Sequence, residues 1–273
     1  MPLGKLYIVS TPIGNLEDIT LRALRILKDV DFIAAEDTRH SLKLLNHYGI
    51  KKPIISYWSE KEKVRSEEIM EKLRSGLSIA LISDAGTPGI SDPGSVLIKN
   101  AINEGIVVIS VPGPSALIAA ISVSGLSTEK FAFIGFLPPK AAQRQKILKE
   151  LAFEPMTLIF YEAPHRILDT LSDMEEIFGE RRAVLAKEIT KLHEEILRGT
   201  ISEILDILEI RTVAGEYVIT VEGKSKETVS VEEALVELKS LMKMGKGRKE
   251  AVRIIAEQYG LSKKELYDRS LLE

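Results

Sequence analysis

Short runs rich in β-branched and aliphatic residues alternate with amphipathic helical segments along most of this chain, and no other feature restricts its fold as much. The spacing predicts strands over residues 6–9, 31–34, 54–57, 79–82 and 107–111, separated by helices near 20–27, 38–47, 63–73 and 94–103. In the first helix Leu21, Leu24 and Leu27 recur at helical spacing, as do Ala23 and Ile26. Asp92-Pro93 reads as an N-cap followed by a first-turn proline, whose fixed φ suits a helix start. Alternation of this kind packs helices on the faces of a mainly parallel sheet, an α/β architecture.

The pattern pauses at residues 125–130, and a second α/β series then begins. It predicts strands over 131–134, 158–161, 183–187, 195–197 and 217–221, with helices near 141–151, 167–177 and 201–207. The chain thus divides into an α/β lobe over 1–116 and a second over 117–223, with a cleft between them where ligands commonly bind. Lys224-Ser225-Lys226-Glu227 reads as a polar linker. Beyond it, Ser230 with Glu233 forms a capping box that opens a helix reaching residue 241, which Gly245 and Gly247 then break. A second helix is expected over 249–259 with Gly260 as its left-handed cap, and Ser262 with Glu265 opens a third. Residues 224–273 therefore make a small helical appendage with a helix-turn-helix outline. Such units serve RNA contact or structural packing as readily as DNA recognition.

Composition removes several chemistries. There is no cysteine, so disulfides, iron–sulfur clusters, thiolate zinc sites and cysteine nucleophiles are excluded. The four histidines, His40, His47, His165 and His193, form no HExxH-type pair, and no metal site is expected. The N-terminus has no signal-peptide pattern, and no apolar run approaches the ~18 residues that span a bilayer. A cytosolic protein with no membrane partner is expected. Net charge is −3, but nine Lys/Arg stand against five Asp/Glu from Lys239 to Glu273, leaving 28 basic and 35 acidic groups on the rest. A basic tail on an acidic body points to a polyanion held by the appendage, or to a solvated helical face.

Three loops follow predicted strands, where open α/β sheets bind ligands. Ser10-Thr11-Pro12-Ile13-Gly14-Asn15 has one glycine and does not match GxGxxG, and no Walker A pattern occurs. Ser83-Asp84-Ala85-Gly86-Thr87-Pro88-Gly89-Ile90-Ser91-Asp92-Pro93-Gly94 gathers more turn-formers than a simple connection requires. That composition lets backbone approach a ligand while Asp84 offers a carboxylate, or else Asp84 only caps backbone amides. In Val111-Pro112-Gly113-Pro114-Ser115-Ala116 two prolines stiffen the turn, and helix capping alone would account for Ser115.

In their order these loops resemble the tetrapyrrole-methylase-like S-adenosylmethionine methyltransferases. The likeness is carried by residues 11–20, Ala35-Glu36-Asp37-Thr38-Arg39, 83–94, 111–116, Gly135-Phe136-Leu137-Pro138, residues 160–166 and Lys187-Glu188-Ile189-Thr190-Lys191. It extends through nearly the whole chain. Methylases of tetrapyrroles carry a more glycine-rich first loop and Gly-Asp-Pro in the second. The Thr-Pro-Ile-Gly and Ser-Asp-Ala-Gly found here resemble instead the RNA branch, which 2′-O-methylates a cytidine ribose of small-subunit ribosomal RNA.

The resemblance implies S-adenosylmethionine folded in the interlobe cleft against Ile13, Asp84, Thr87, Ser115 and Ala116, with Tyr161 or Glu162 from the second lobe. It also implies a homodimer and a ribosomal RNA or small-subunit partner. A ribose hydroxyl is a poor nucleophile, so a base or polarising cation is needed nearby. Candidates are Glu36, Asp37, Arg39, His165 and Lys187. Each has a plain structural alternative. The carboxylates oppose a helix dipole, Arg39 pairs with Glu36, His165 caps or packs, and Lys187 is an exposed strand-end lysine. A small-molecule acceptor such as a tetrapyrrole, or a ribosome-binding protein without activity, are the competing readings.

Overall fold

The computed structural model describes residues 2–58, 62–224, 231–259 and 261–272. The first lobe is built on five parallel strands: β1 (Lys5–Val9), β2 (Phe32–Ala35), β3 (Ile54–Ser56), β4 (Ile79–Ile82) and β5 (Val107–Val111), in the order β3-β2-β4-β1-β5. Its helices are α1 (Leu21–Asp29), α2 (Thr38–His47), α3 (Glu62–Arg74) and α4 (Ser95–Asn103). Alternate side chains of each strand enter opposite cores, the period-2 consequence of the pleat. Ala80 and Ile82 meet Ala23, Leu27 and Leu45, whereas Ile79 and Leu81 meet Ile69, Leu73 and Leu97. Because both faces are covered, β4 is apolar throughout and buried at every residue. Thr20 caps α1 by accepting a 3.1 Å bond from the Ala23 N–H.

One helix start differs from the sequence expectation. α4 begins at Ser95 with Gly94 as N-cap, not at Asp92-Pro93. Gly94 adopts φ 146°, and a Cβ there would lie 3.2 Å from the Gly89 amide nitrogen. The close turn therefore moves the helix start two residues on, and Asp92 is left facing the cleft.

The second lobe contains β6 (Phe131–Phe136), β7 (Thr157–Glu162), β8 (Arg182–Lys187), β9 (Glu195–Thr200) and β10 (Tyr217–Val221), in the order β6-β7-β10-β8-β9. This sheet is mixed, not mainly parallel. Only β6 and β7 run parallel, while β10 is antiparallel to both β7 and β8, and β9 is antiparallel to β8. For β8 and β9 the reason is connection length: the few residues between them cannot make the crossover that parallel pairing needs. Helices α6 (Ala141–Leu151), α7 (Ile167–Phe178) and α8 (Ile201–Glu209) cover one face. On the other, α5 (Ala116–Ser124) packs Ala120 and Ile121 against Ile159, Ala186 and Val218. Although α5 follows the last strand of the first lobe, its buried face belongs to the second.

The appendage comprises α9 (Val231–Lys243), α10 (Arg248–Tyr259) and α11 (Lys263–Leu272). Leu235, Leu238, Val252, Ile255 and Leu266 form a core of their own. Gly245 at φ 92° closes α9, with the Lys246 N–H bonded to the Leu241 carbonyl. The Ser262 hydroxyl accepts from the Glu265 N–H at the start of α11. The linker at 225–227, Ser230 and Gly260 lie outside the described residues. Among the described residues no helix is long and apolar enough to cross a membrane.

Candidate active site in the interlobe cleft

The three strand-end loops of the first lobe are tied together through backbone and hydroxyl bonds. Thr11 and Gly86 exchange N–H···O bonds of 2.8 and 3.1 Å, and the Thr11 hydroxyl donates to the Ser83 carbonyl at 3.0 Å. Ser10 and Thr87 hydroxyls stand 2.8 Å apart. Gly113 is required by this apposition, since a Cβ there would lie 2.9 Å from the Ser10 Cβ. Gly86 at φ 81° lies against Ile13, which its absent side chain leaves open to the cleft.

A cavity of about 360 Å³ opens between these loops and the second lobe. Ile13, Ala85, Thr87, Ser115 and Ala116 form one wall, with Phe136, Tyr161 and Tyr217 opposite. Tyr161 is fixed from two sides: its ring meets Phe133 and Phe136 edge-on at 4.8 and 5.6 Å, and its hydroxyl accepts the Leu117 N–H at 3.1 Å. Ser115 is the N-cap residue of α5, yet its side chain makes no capping bond. Capping therefore does not explain it.

Carboxylates gather at one end. Burial, opposed by a Ser83 hydrogen bond and reinforced by Asp84, pushes the Asp92 carboxyl above the ordinary range. Burial followed by the Asp92 and Asp84 charges raises Glu36 as well. Asp84 Oδ1 accepts the Asp37 N–H at 3.0 Å, linking the second loop to the start of α2. The Arg39 N–H bonded to the Asp37 carboxylate lowers that carboxyl, as an N-cap bond does.

A second cavity of about 670 Å³ adjoins the first. Ile13, Ala85 and Glu216 line both, so the two share a wall. Among the described residues no group of three His, Asp or Glu is placed to hold a metal ion.

The cleft brings together Ile13, Thr87, Ser115, Ala116 and Tyr161 around the smaller cavity, and Asp84 lines the larger. Glu162 contributes to the smaller cavity's lining, but its fully buried carboxylate is engaged within the second lobe. It accepts from Thr170 Oγ1 at 2.7 Å and the Ala163 N–H at 2.9 Å, with Arg166 Nε at 3.4 Å. Arg39 has a 90% exposed side chain and pairs with Asp37 at 3.6 Å, not with Glu36. His165 is exposed in the turn after β7, and Lys187 ends β8; neither lines either of these two cavities. Sequence reasoning missed Asp92, Lys191 and Glu216. Asp92 carried a helix-start signal that concealed it, while Lys191 and Glu216 meet only because β10 inserts beside β8.

Residues 5–205 match the model of a family described as Tetrapyrrole (Corrin/Porphyrin) Methylases. The chain is 46% identical over 273 residues to the Synechocystis protein named Ribosomal RNA small subunit methyltransferase I, covering 98% of each. Its identity to the Haemophilus influenzae protein of that name is 48%, over 98% of this chain and 96% of the other. For the Thermotoga maritima protein of that name it is 49%, with all of that protein matched by 81% of this chain. The fold is shared with a diphthine synthase (TM-score 0.63, 14% identity, 81% of this chain and 91% of the other). It is shared also with a Thermus thermophilus uroporphyrin-III C-methyl transferase complexed with S-adenyl homocysteine (TM-score 0.57, 18% identity, 81% and 98%). With a family model matching residues 5–205 and relatives this close over 98% of its length, the chain belongs to the tetrapyrrole methylase family, on the branch that contains the ribosomal RNA small subunit methyltransferase I proteins.

Proposed function

We propose that this chain transfers a methyl group from S-adenosylmethionine to the ribose 2′-hydroxyl of a cytidine in small-subunit ribosomal RNA. The observation that carries the reading is near-complete alignment at 46% and 48% identity with proteins named for that RNA. The fit of the cleft to the donor supports it. When bound, the donor supplies an electrophilic methyl: the carbon–sulfur bond breaks with its electron pair remaining on sulfur, the oxygen–carbon bond forms, and the hydroxyl proton leaves to a base.

The residues present suit such a molecule. Ile13, Ala116 and the Phe136–Tyr161 pair offer apolar and aromatic walls for an adenine, while Thr87 and Ser115 offer hydroxyls to its polar groups. Asp92 and Asp84 set negative charge where a sulfonium or ammonium relieves it. Glu36 and Asp37 act through Asp84, fixing its orientation and raising the local negative potential. Displacement at a methyl with a neutral leaving group depends chiefly on alignment, and the backbone and hydroxyl ties among the three loops supply rigidity. Arg39, His165 and Lys187, outside both cavities, fit contacts with the flanking RNA better than a role at the reacting atoms.

The reading extends to a cytoplasmic homodimer, which light scattering of the purified protein tests for oligomeric state. The helical appendage, with its own core and basic balance, is assigned to RNA capture. Small subunits from a strain lacking the gene, incubated with tritiated S-adenosylmethionine, are expected to take up label that maps to one cytidine ribose. Label on a porphyrin-like acceptor instead would move the chain to the competing reading. Removing residues 230–273 is expected to cut RNA methylation far more than donor binding.

A further inference from the structure

The larger cavity has a chemistry of its own. α2 turns His40, Lys43, Leu44 and His47 toward it, positions that share one helical face. Pro12, Ile13 and Leu16 add apolar surface. Ser41 lines it too, 2% exposed, with a hydroxyl that has no hydrogen-bond partner in the protein. A buried polar atom left unpaired is costly, and at a cavity wall it offers a hydrogen bond to whatever fills the cavity. The Thr190 hydroxyl is likewise buried without a partner, beside Gly14 of the same lining.

The second-lobe side is a strained turn. Glu188 and Thr190 are the non-glycine residues with positive φ among those described, at 50° and 67°. A side chain crowds the backbone in that region, and strain of this kind persists where surrounding structure enforces it. The enforcement here is close packing against two glycines. A Cβ on Gly14 would lie 2.4 Å from Lys191 Cγ, and one on Gly215 would lie 2.6 Å from Glu188 Cγ. What the turn presents is Lys191, with Nζ 2.8 Å from Glu188 Oε1 and 3.0 Å from Glu216 Oε2. Glu216 lines both cavities, so an ammonium–carboxylate pair stands at their boundary.

We infer that the larger cavity is the acceptor chamber. It takes one unstacked nucleotide of a single-stranded RNA segment, with a phosphate on the His40–Lys43–His47 face and the ribose hydroxyl at the Lys191–Glu216 pair. This rests on the methyltransferase reading above. The volume of about 670 Å³ lies within the ~300–1,000 Å³ of pockets for ligands of this size. The reacting oxygen must come within about 3–3.5 Å of the methyl carbon, in line with sulfur. A nucleotide stacked in a duplex cannot reach a wall set between two lobes, so it leaves the stack, as bases do for enzymes that modify them. Pro12, Leu16 and Leu44 then face the base, and Lys43 with the two imidazole N–H donors meets the phosphate. As the oxygen–carbon bond forms, Lys191 donates a hydrogen bond to the ribose oxygen and Glu216 accepts the hydroxyl proton, which passes on to water.

The test uses the full-length protein, calorimetry with S-adenosylhomocysteine, and steady-state methylation of small subunits. His40→Ala/Lys43→Ala/His47→Ala is expected to raise KM for subunits at least about tenfold, with kcat and S-adenosylhomocysteine affinity held within about twofold. Lys191→Met is expected to lower kcat about a hundredfold at little cost in KM or donor-product affinity, with Lys191→Arg recovering part of the rate. If Lys191→Met melts below the assay temperature, Lys191→Gln takes its place with the same readouts. Wild-type protein that binds S-adenosylhomocysteine and leaves subunits unlabelled would refute the methyltransferase reading itself. Active wild type with an unchanged KM in the triple variant, or Lys191 variants that lose donor-product affinity in step with kcat, would overturn the chamber assignment alone.

Discussion

The two lobes build their halves of the cleft by opposite means. The first is an all-parallel sheet whose strand-end loops are joined by backbone and hydroxyl bonds, with glycines where side chains would collide. The second is a mixed sheet that contributes side chains: an oriented tyrosine, a buried carboxylate that secures the turn after β7, and a lysine held on a strained turn. The difference teaches that the first lobe fixes the shape of the cleft together with its charged binding groups, while the second holds the groups assigned to the reacting oxygen. Variants can separate the two, because a fixed shape fails when volume is added, and chemistry at the reacting oxygen fails when a functional group is removed.

The largest effect is expected from Glu162→Ala. The carboxylate is fully buried against Thr170, the Ala163 N–H and Arg166, and removing one partner of such a buried set costs about 3 kcal/mol. Thermal melting should register that loss, while S-adenosylhomocysteine affinity of the folded protein stays close to wild type. Weakened ligand affinity without a lower melting temperature would return Glu162 to the donor site.

Gly113→Ala probes the other lobe. The new Cβ would meet the Ser10 Cβ at 2.9 Å, backbone-anchored on both sides, and such overpacking costs roughly 1–3 kcal/mol. Because the strain falls between two loops of the smaller cavity, S-adenosylhomocysteine affinity should drop more steeply than stability. Equal losses would show that the loops bind no donor.

Thr190→Gly is expected to change sign between the two readouts. Glycine relieves the strain of a φ of 67° but enlarges the unfolded ensemble, so the net gain in stability is at most about 1 kcal/mol, yet a looser turn no longer fixes Lys191. Denaturant unfolding should show the gain and methylation the loss. A variant both more stable and fully active would mean that the strain serves no site.

Legibility in the sequence follows the same division. In the first lobe periodicity places every strand within a residue or two, since parallel strands buried on both faces read as continuous apolar runs. The loops carrying Ile13, Thr87 and Ser115 are legible because each follows a strand, whereas the residues themselves are singled out only by the family resemblance. The mixed order of the second sheet is not legible, because antiparallel insertion of β10 depends on which long-range pairing forms and leaves no local mark. Lys191 and Glu216 were hidden for that reason: they are 25 residues apart and meet only through the β8–β10 pairing. Asp92 was hidden by a genuine local signal, Asp-Pro before a helix, that close packing at Gly94 overrode.

The smallest effect on stability, and the finest test of the contrast, is Asp92→Asn. Burial holds the folded carboxyl above its ordinary pKa, so between the unfolded and folded values the folded protein binds more protons than the unfolded chain. Stability attributable to this group is therefore greatest below the ordinary carboxylate pKa and falls as pH rises through the raised value. The amide variant removes that fall and should melt slightly higher at neutral pH. Ligand binding should run the other way. A cationic donor favours the ionised carboxylate, so wild-type affinity for S-adenosylmethionine rises as pH climbs through the raised pKa, and Asp92→Asn flattens that rise. The neutral thioether S-adenosylhomocysteine lacks the sulfonium charge and should show the weaker pH dependence of the two. Equal pH profiles for both ligands would place Asp92 away from the sulfur.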